Sequence, residues 1–276
     1  MANPGVNLDF LVIGSGKSGT TTLASLLAKH PDIAITNPKE PWFFDTREYS
    51  RGMSWYWKQY LPHYASQRCV GEASSQSLFV PFVPERLFET LPHARLIAIL
   101  RNPVERAHSD WWMKYCTGLE VRNFEDALAH NLRQMERGVD FRDPAIWQSH
   151  IDSHAGQLTY ATYLDYGNYA TQVARYLRRF PREQMLFFLT EDLRDQTAAV
   201  YRQMCQFLGL RLEESMTPGH VPVENASRSP LVGAIRRSVQ RSRFLSNGAA
   251  AARGVAKAVL GPGARQSVKR AFRALD

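Results

Sequence analysis

Short apolar runs alternate with amphipathic stretches along most of the chain. Runs typical of buried strands lie at residues 8–13, 33–35, 68–73, 94–100 and early in 183–193. Apolar residues recur at helical spacing in 20–29, where Leu23, Leu26 and Leu27 share a face, and again in 103–116. This alternation predicts an α/β fold with a mostly parallel central sheet flanked by helices. Such sheets bind ligands at the carboxyl ends of their strands.

A glycine-rich turn follows the first predicted strand. Gly14, Ser15 and Gly16 end the apolar run, Lys17 follows, and a helix is predicted from Thr20. Backbone N–H groups converge at a helix N-terminus, where the helix dipole adds partial positive charge. Lys17 adds a full charge, so this turn is predicted to bind an anion.

Three phosphate-binding loops compete for this stretch. A mononucleotide P-loop, G-x-x-x-x-G-K-[ST], would need glycine where Leu11 stands. The dinucleotide fingerprint G-x-G-x-x-G fits 14–19, and Glu40 lies about 20 residues on, where a ribose-binding acid is expected. That fingerprint leaves Lys17 and the threonine run 20–22 unexplained. The third pattern, K-x-G-T-T-x-L, is the 5′-phosphosulfate loop, and residues 17–23 match it directly.

A second motif, "RNPVERAHSDWW", follows the predicted strand at 94–100. Arg101 leaves that strand at its carboxyl end, and Pro103 suits a first helical turn. Ser109 lies about two helical turns further on and could face back toward Arg101. An arginine and a hydroxyl can bind one phosphate together. With the Lys17 loop, the motif predicts a ligand that carries phosphate groups at both ends.

Composition narrows the class of protein. The chain has 276 residues, of which 44% are hydrophobic, and its formal net charge is +8. The positive charge favours anionic ligands without implying nucleic acid, and we expect no nucleic-acid partner. No apolar run is long enough for a stable membrane insertion, so a cytoplasmic location is expected. Three scattered cysteines lack metal-ligand spacing and are expected to be core residues: Cys69, Cys116 and Cys205.

Together the motifs resemble those of sulfotransferases that use 3′-phosphoadenosine 5′-phosphosulfate (PAPS), especially the group related to heparan sulfate sulfotransferases. The similarity includes the lysine loop, a K-E-x-x-F-F pattern, "GEASS", and a 3′-phosphate motif beginning at Arg101. The similar pieces occur in order at 14–23, 30–45, 52–62, 71–75, 96–112, 166–193 and 225–230. The usual closing segment of that group is not found after residue 230.

The resemblance implies a P-loop-like sulfotransferase fold, PAPS as co-substrate, 3′-phosphoadenosine 5′-phosphate (PAP) as product, and no metal. It assigns Glu40 as the general base and Lys17 as the group that stabilises the leaving phosphate. The apolar "PWFF" beside Glu40 is expected to raise the pKa of its carboxyl group. His63 and Glu72 are alternative bases. The residues assigned to cofactor binding are Gly16, Lys17, Ser18, Gly19, Thr20, Thr21, Thr22, Arg101, Ser109 and Arg228.

The resemblance also sets the domain organisation. A sulfotransferase domain is expected at 1–235, followed by a basic, Ala-, Gly- and Arg-rich helical tail at 236–276. We expect a soluble, bacterial-type enzyme whose acceptor is a small molecule or a glycan, bearing a hydroxyl on a carbohydrate, lipid or secondary metabolite. Three alternatives remain open: a P-loop-like nucleotide kinase, an NAD(P)-binding oxidoreductase, and a non-enzymatic module that binds PAP or polyanions.

Overall fold

The computed structural model describes residues 8–62, 64–152 and 161–211. The predictions made for His63, for Arg228 and for the tail at 236–276 lie outside these residues.

Within the described ranges, the central sheet has five parallel strands. They are β1 (Phe10–Gly14), β2 (Ile33–Ile35), β3 (Cys69–Ala73), β4 (Arg95–Leu100) and β5 (Met185–Leu189). Their order across the sheet is β2-β3-β1-β4-β5, and every neighbouring pair is parallel. The predicted parallel sheet and all five of its strands are confirmed.

Helices cover both faces of this sheet. Nine α-helices occur in the described ranges: α1 (Thr20–Leu27), α2 (Met53–Tyr60), α3 (Val83–Thr90), α4 (Pro103–Thr117), α5 (Phe124–Glu136), α6 (Pro144–Ile151), α7 (Tyr169–Leu177), α8 (Thr190–Asp195) and α9 (Thr197–Leu208). Helices α1 and α4 lie where the sequence predicted them. The helical stretch expected after β5 is confirmed, as the successive helices α8 and α9.

The central strand β1 separates two core layers. Its residues are all buried, and successive side chains point to opposite faces, as the period of a β-strand requires. Phe10 and Val12 pack with the leucines of α1 and with α9. Leu11 and Ile13 pack on the other face with aromatic side chains of 43–60. A strand covered on both faces has to be apolar throughout, which explains the continuous apolar run in the sequence.

The three cysteines are free and buried, as expected of core residues. In the part of the chain that the structure describes, no helix is long and apolar enough to cross a membrane.

The strand order brings the predicted motifs to one edge of the sheet. The chain adds strands on one side of β1 and then crosses to the other, and ligands bind outside the carboxyl ends of strands at such a point. The glycine turn leaves β1 at this edge, and Ser74 and Ser75 leave the neighbouring β3. Arg101 leaves β4 on the other side.

A close contact between β1 and β3 provides a test of this packing. Gly71 pairs with Phe10, and a Cβ atom at Gly71 would lie 2.0 Å from ring atom Cζ of Phe10. We therefore expect Gly71→Ala to destabilise the protein by about 1–3 kcal/mol or more, because overpacking forces side chains and backbone apart. Urea unfolding gives this change in the free energy of unfolding.

The control for Gly71→Ala is Phe10→Leu, because leucine lacks the three ring atoms, Cζ, Cε1 and Cε2, that lie nearest to the added methyl. In the Phe10→Leu background we expect Gly71→Ala to cost much less. Equal costs in the two backgrounds would show that the ring does not set the requirement for glycine at position 71.

Candidate active site

The turn after β1 has the backbone of an anion-binding loop. Lys17 and Gly19 both lie in the left-handed region, with φ of 71° and 104°. That conformation is uncommon for a lysine and is maintained only where the surroundings impose it. Gly19 then begins α1 as an N-cap without a side-chain hydrogen bond to the helix. The first N–H groups of a helix have no intrahelical acceptor, so this end of α1 is suited to an anion.

The side chain of Lys17 is half-buried against α4. Its Nζ lies 3.4 Å from Met113 Sδ, and Arg101 Nη1 lies 3.4 Å from the Lys17 carbonyl oxygen. Burial lowers the pKa of Lys17, Asp110 raises it, and Arg101 and Arg106 lower it. The ammonium group therefore lies in a partly dehydrated site that contains both carboxylates, Asp110 and Glu40, and guanidinium groups.

Arg101 and Ser109 line one open groove beside α4. The cavity has a volume of about 460 Å³ and is lined by Arg101, Val104, Glu105, His108, Ser109, Trp112 and Phe124. In the structure the Arg101 guanidinium is bound by Glu105, with Nη2 and Nε at 2.9 and 3.1 Å from Oε2. The two residues predicted from the second motif are thus brought together, and their role in binding a phosphate stays a prediction.

The remaining loop residues that were predicted to bind cofactor differ in exposure. Gly16, Gly19 and Thr21 are partly exposed, whereas Ser18, Thr20 and Thr22 are buried. No described residue forms a hydrogen bond with the hydroxyl of Ser18. Its carbonyl oxygen accepts a hydrogen bond of 2.8 Å from Thr190 Oγ1, which ties the loop to the end of β5.

Glu40 lies at the same edge of the sheet. Its backbone N–H donates to the carbonyl of Ala73 at the end of β3, and its φ is 61°. Three groups donate to its carboxylate: Lys39 Nζ at 2.6 Å, Ser75 Oγ at 2.9 Å and Trp42 Nε1 at 3.2 Å. The carboxylate is therefore held in one orientation.

The expected upward shift in the pKa of Glu40 is wrong. Burial does raise the pKa, but the charge and hydrogen bond of Lys39 and the hydrogen bonds from Ser75 and Trp42 outweigh it, so the pKa lies below its ordinary value. The "PWFF" segment does not form an apolar shell around the carboxylate. Phe43 and Phe44 are fully buried in the core, and the indole of Trp42 donates to Glu40.

Ser75 connects Glu40 to the glycine turn. Its hydroxyl donates to Glu40 Oε1 and lies 3.7 Å from the position a Cβ atom would take at Gly16. The negative charge of Glu40 also raises the pKa of Lys17. The two residues predicted to be catalytic therefore lie at the same edge of the sheet and act on each other electrostatically.

Glu72, an alternative base in the sequence analysis, lies inside the protein. It is buried in β3, and its two carboxylate oxygens accept hydrogen bonds from Tyr56 (2.5 Å) and Ser74 (2.6 Å). Burial raises the pKa of Glu72 to about 7. Both oxygens are occupied by core partners, so Glu72 is not open to an acceptor.

Three residues near Lys17, Gly16 or Glu40 were not singled out individually from the sequence. Asp110 is a buried carboxylate in α4 between Arg106 and Lys114, Ser75 holds Glu40, and Tyr166 lies 3.9 Å from the Cβ position at Gly16. The i, i+4 spacing of Arg106, Asp110 and Lys114 is a sequence signal for ion pairs on one helix face. Ser75 and Tyr166 lie within two of the pieces that resemble the sulfotransferase group, "GEASS" and 166–193, but the pieces alone do not show that these two side chains lie beside the glycine turn.

Among the described residues, no group of three or more His, Cys, Asp or Glu side chains is arranged to hold a metal ion.

Comparisons with known proteins place this geometry among related chains. A family model described as "Sulfotransferase domain" matches residues 7–252. The solved structure of a sulfotransferase from Alicyclobacillus acidocaldarius is 26% identical, covers 90% of this chain and 99% of its own, and superposes with a TM-score of 0.62.

Curated relatives match over shorter fractions of their length. Heparan sulfate glucosamine 3-O-sulfotransferase 3B1 of Mus musculus is 29% identical over 201 residues, or 73% of this chain and 46% of that protein. Membrane-associated sulfotransferase kil1 of Dictyostelium discoideum is 42% identical over 113 residues, or 38% of this chain and 24% of that protein. The chain thus spans less than half the length of these relatives.

Two buried acids, Asp45 and Glu72, lead to a prediction about stability and pH. Burial and then the charge of Glu72 raise the pKa of Asp45 to about 8, and burial raises that of Glu72 to about 7. An unfolded chain loses these protons near pH 4, so between about pH 5 and 7 the folded state binds more protons. The free energy of unfolding should therefore fall as the pH rises, by at most about 1.4 kcal/mol per unit for each group.

Asp45→Asn should flatten this dependence, because the amide does not titrate. The measurement is urea unfolding at pH 5, 6, 7 and 8. Asp195→Asn is the control. Asp195 is exposed and pairs with Arg194, which lowers the pKa of Asp195, so this carboxylate stays ionised throughout the range. An Asp45→Asn protein with the same slope as the wild type would rule out a protonated Asp45 in the folded state.

Proposed function

The chain belongs to the sulfotransferase family, and we propose that it transfers the sulfuryl group of PAPS to a hydroxyl of a small-molecule or glycan acceptor. The observation that carries the proposal is that Lys17 and Glu40 lie at the same carboxyl edge of the sheet, with Ser75 between Glu40 and the glycine turn. One group there can neutralise a leaving phosphate, and the other can accept a proton. The relative named for heparan sulfate supports a glycan among the candidate acceptors.

The donors at this edge of the sheet would suit a ligand with phosphate at both ends. Lys17 and the uncapped N-terminus of α1 would bind the 5′-phosphosulfate, as helix N-termini bind anions. Arg101 and Ser109, which line one groove, would bind the 3′-phosphate. Trp112 and Phe124 in that groove offer aromatic surface to the nucleoside. When bound, PAPS supplies the sulfuryl group.

Glu40 is suited to be a base in its charged form. Its low pKa keeps the carboxylate ionised at neutral pH, so it is ready to accept a proton from the acceptor hydroxyl. Oε1 binds Lys39 and Ser75, whereas among the described residues Oε2 accepts only from Trp42, so we assign Oε2 to the acceptor. As the acceptor oxygen bonds to sulfur and the bond from sulfur to the phosphate oxygen breaks, the acceptor proton goes to Glu40.

Lys17 acts on the other side of the transferred group. Charge develops on the phosphate oxygen that leaves, and a fixed ammonium in a partly dehydrated site stabilises that charge strongly. The contact with Met113 and the left-handed backbone hold the lysine at the loop. The chain therefore supplies positive charge at the leaving group and a base at the acceptor.

The test of this function compares Glu40→Gln with Lys17→Ala. Wild-type enzyme should transfer labelled sulfate from PAPS to an acceptor in a screen of hydroxyl compounds. Glutamine keeps the shape of glutamate but cannot take the proton, so turnover should fall by roughly 10²–10⁴ while PAP affinity survives. Lys17→Ala should lower both PAP affinity and the single-turnover rate, because the lysine contacts the reacting group.

Each outcome of this comparison is informative. Near wild-type transfer by Glu40→Gln would remove Glu40 as the base and make His63 the next residue to test. Loss of PAP binding in that variant would instead support a ribose-binding acid, as in the dinucleotide fingerprint at 14–19.

The groove beside α4 gives a separate prediction about binding. Arg101→Ala and Ser109→Ala should weaken PAP binding more than they slow transfer, because the 3′-phosphate does not react. For Arg101, losing a charge-assisted hydrogen bond should cost about 1.5–3 kcal/mol, measured by calorimetry.

The matched ligand is AMP, which lacks the 3′-phosphate and should bind to wild type and variants alike. A parallel loss of AMP affinity would mean that Arg101 acts on the loop through the Lys17 carbonyl and not on the 3′-phosphate. Wild-type titrations with ATP and NADPH separate the kinase and oxidoreductase alternatives, because either ligand binding more tightly than PAP would contradict the proposal.

A further inference from the structure

One face of α4 carries three charged side chains that have no role in the proposed reaction. Arg106, Asp110 and Lys114 follow one another at i, i+4 spacing, and Met113, which contacts Lys17, lies three residues after Asp110. The loop after β1 therefore rests against the part of the helix that bears a carboxylate between two cations.

Asp110 is the carboxylate on this face. It is buried, and its Oδ2 lies 3.1 Å from Lys114 Nζ and 3.6 Å from Arg106 Nη1. Arg106 is itself buried, donates to the carbonyl of Tyr163 at 2.7 Å and lies over the ring of Tyr166. Burial opposes ionisation of Asp110, but Lys114 and Arg106 outweigh it and hold its pKa below the ordinary value. Asp110 thus stays charged at any pH where the enzyme would work.

The other groups that face Asp110 are neutral. Burial and the charge of Lys114 lower the pKa of His150 to about 4, and burial raises the pKa values of Tyr163 and Tyr166 above their ordinary range. Near neutral pH the charges closest to Asp110 are therefore those of Arg106, Lys114 and the loop, with Glu120 beyond Tyr163 and Asp165 near Arg106.

Lys17 is subject to a balance between these charges. Burial lowers its pKa, and Arg101 and Arg106 lower it further, while Asp110 raises it and Glu40 does so more weakly. In the proposed reaction, Glu40 becomes neutral when it takes the acceptor proton. Asp110 is then the carboxylate that still balances Lys17 when charge appears on the leaving phosphate.

We propose that Asp110 is a positioning residue for Lys17, whose carboxylate keeps the Lys17 side chain as a charged ammonium at the glycine loop. The part of this inference that concerns catalysis rests on the proposed function. The state of the Lys17 amine can nevertheless be measured without any transfer reaction.

The direct test is competitive acetylation of the full-length protein at several pH values between 7 and 10, with modification of the Lys17 peptide read by mass spectrometry. Only the neutral amine reacts. In Asp110→Asn, Lys17 should lose its proton at lower pH and be labelled several-fold faster than in wild type at pH 8–9. Asp140→Asn is the matched control, because Asp140 is an exposed aspartate that also pairs with an arginine; its Lys17 should react at the wild-type rate.

A second variant keeps the test decisive where Asp110→Asn folds poorly. Lys114→Gln retains Asp110 and removes one of the cations that compete for it, so Lys17 should be labelled more slowly than in wild type. Unchanged labelling in both variants would overturn the inference and leave Asp110 as a structural ion pair within α4.

The pH dependence of transfer links the inference to activity. In Asp110→Asn, the alkaline limb of the kcat/KM profile should move to lower pH, because Lys17 loses its charge sooner. If Asp110→Asn changes the labelling of Lys17 but the wild-type protein transfers no sulfate, only the proposed function is contradicted. An active enzyme with unchanged labelling and an unchanged alkaline limb in Asp110→Asn would contradict the role of Asp110 alone.

Discussion

The parallel pairing of β1 with β3 on one side and β4 on the other is the constraint on which the site depends. It sets the glycine turn beside Ser75, which leaves β3, and beside Arg101, which leaves β4. The backbone hydrogen bond from Glu40 to Ala73 brings Glu40, the proposed base, to the same edge, and the hydrogen bond from Thr190 to Ser18 connects β5 to it. Because the strand interiors are apolar and buried on both faces, a shift in register would move core side chains as well as the site.

At this edge the protein maintains an excess of positive charge in a partly dehydrated space. Four cations lie around the buried carboxylate of Asp110: Arg106 and Lys114 pair with it on α4, and Lys17 and Arg101 lie at the loop. Burial lowers the pKa of Lys17, and the charges of Asp110 and Glu40 raise it, so the carboxylates favour the charged amine. We expect such a site to attract an anion. The charged side chains that form it are held in place by packing against the sheet or α4.

Much of the fold followed from local sequence because its signals are local. Continuous apolar runs marked the five strands, the glycine turn marked the end of β1, and helical spacing brought Ser109 toward the groove that Arg101 lines. The environment of Glu40 did not follow, because the orientation of Trp42 depends on a left-handed backbone at positions 40 and 42. Neighbours that appear apolar in sequence therefore provided a hydrogen-bond donor, and the pKa moved in the direction opposite to that expected.

The groove beside α4 shows a second effect that motif matching misses. The motif predicts that Arg101 binds a phosphate, yet its guanidinium is bound by Glu105, four residues further along the chain. The pair is partly exposed, and exposed ion pairs contribute about 0–1 kcal/mol. A phosphate offers two or more charged oxygens to the same guanidinium, so it can displace the carboxylate at small cost. Glu105 thus fixes the position of the Arg101 side chain without blocking the groove. The hydrogen bond from Arg101 to the Lys17 carbonyl oxygen connects this fixed side chain to the loop.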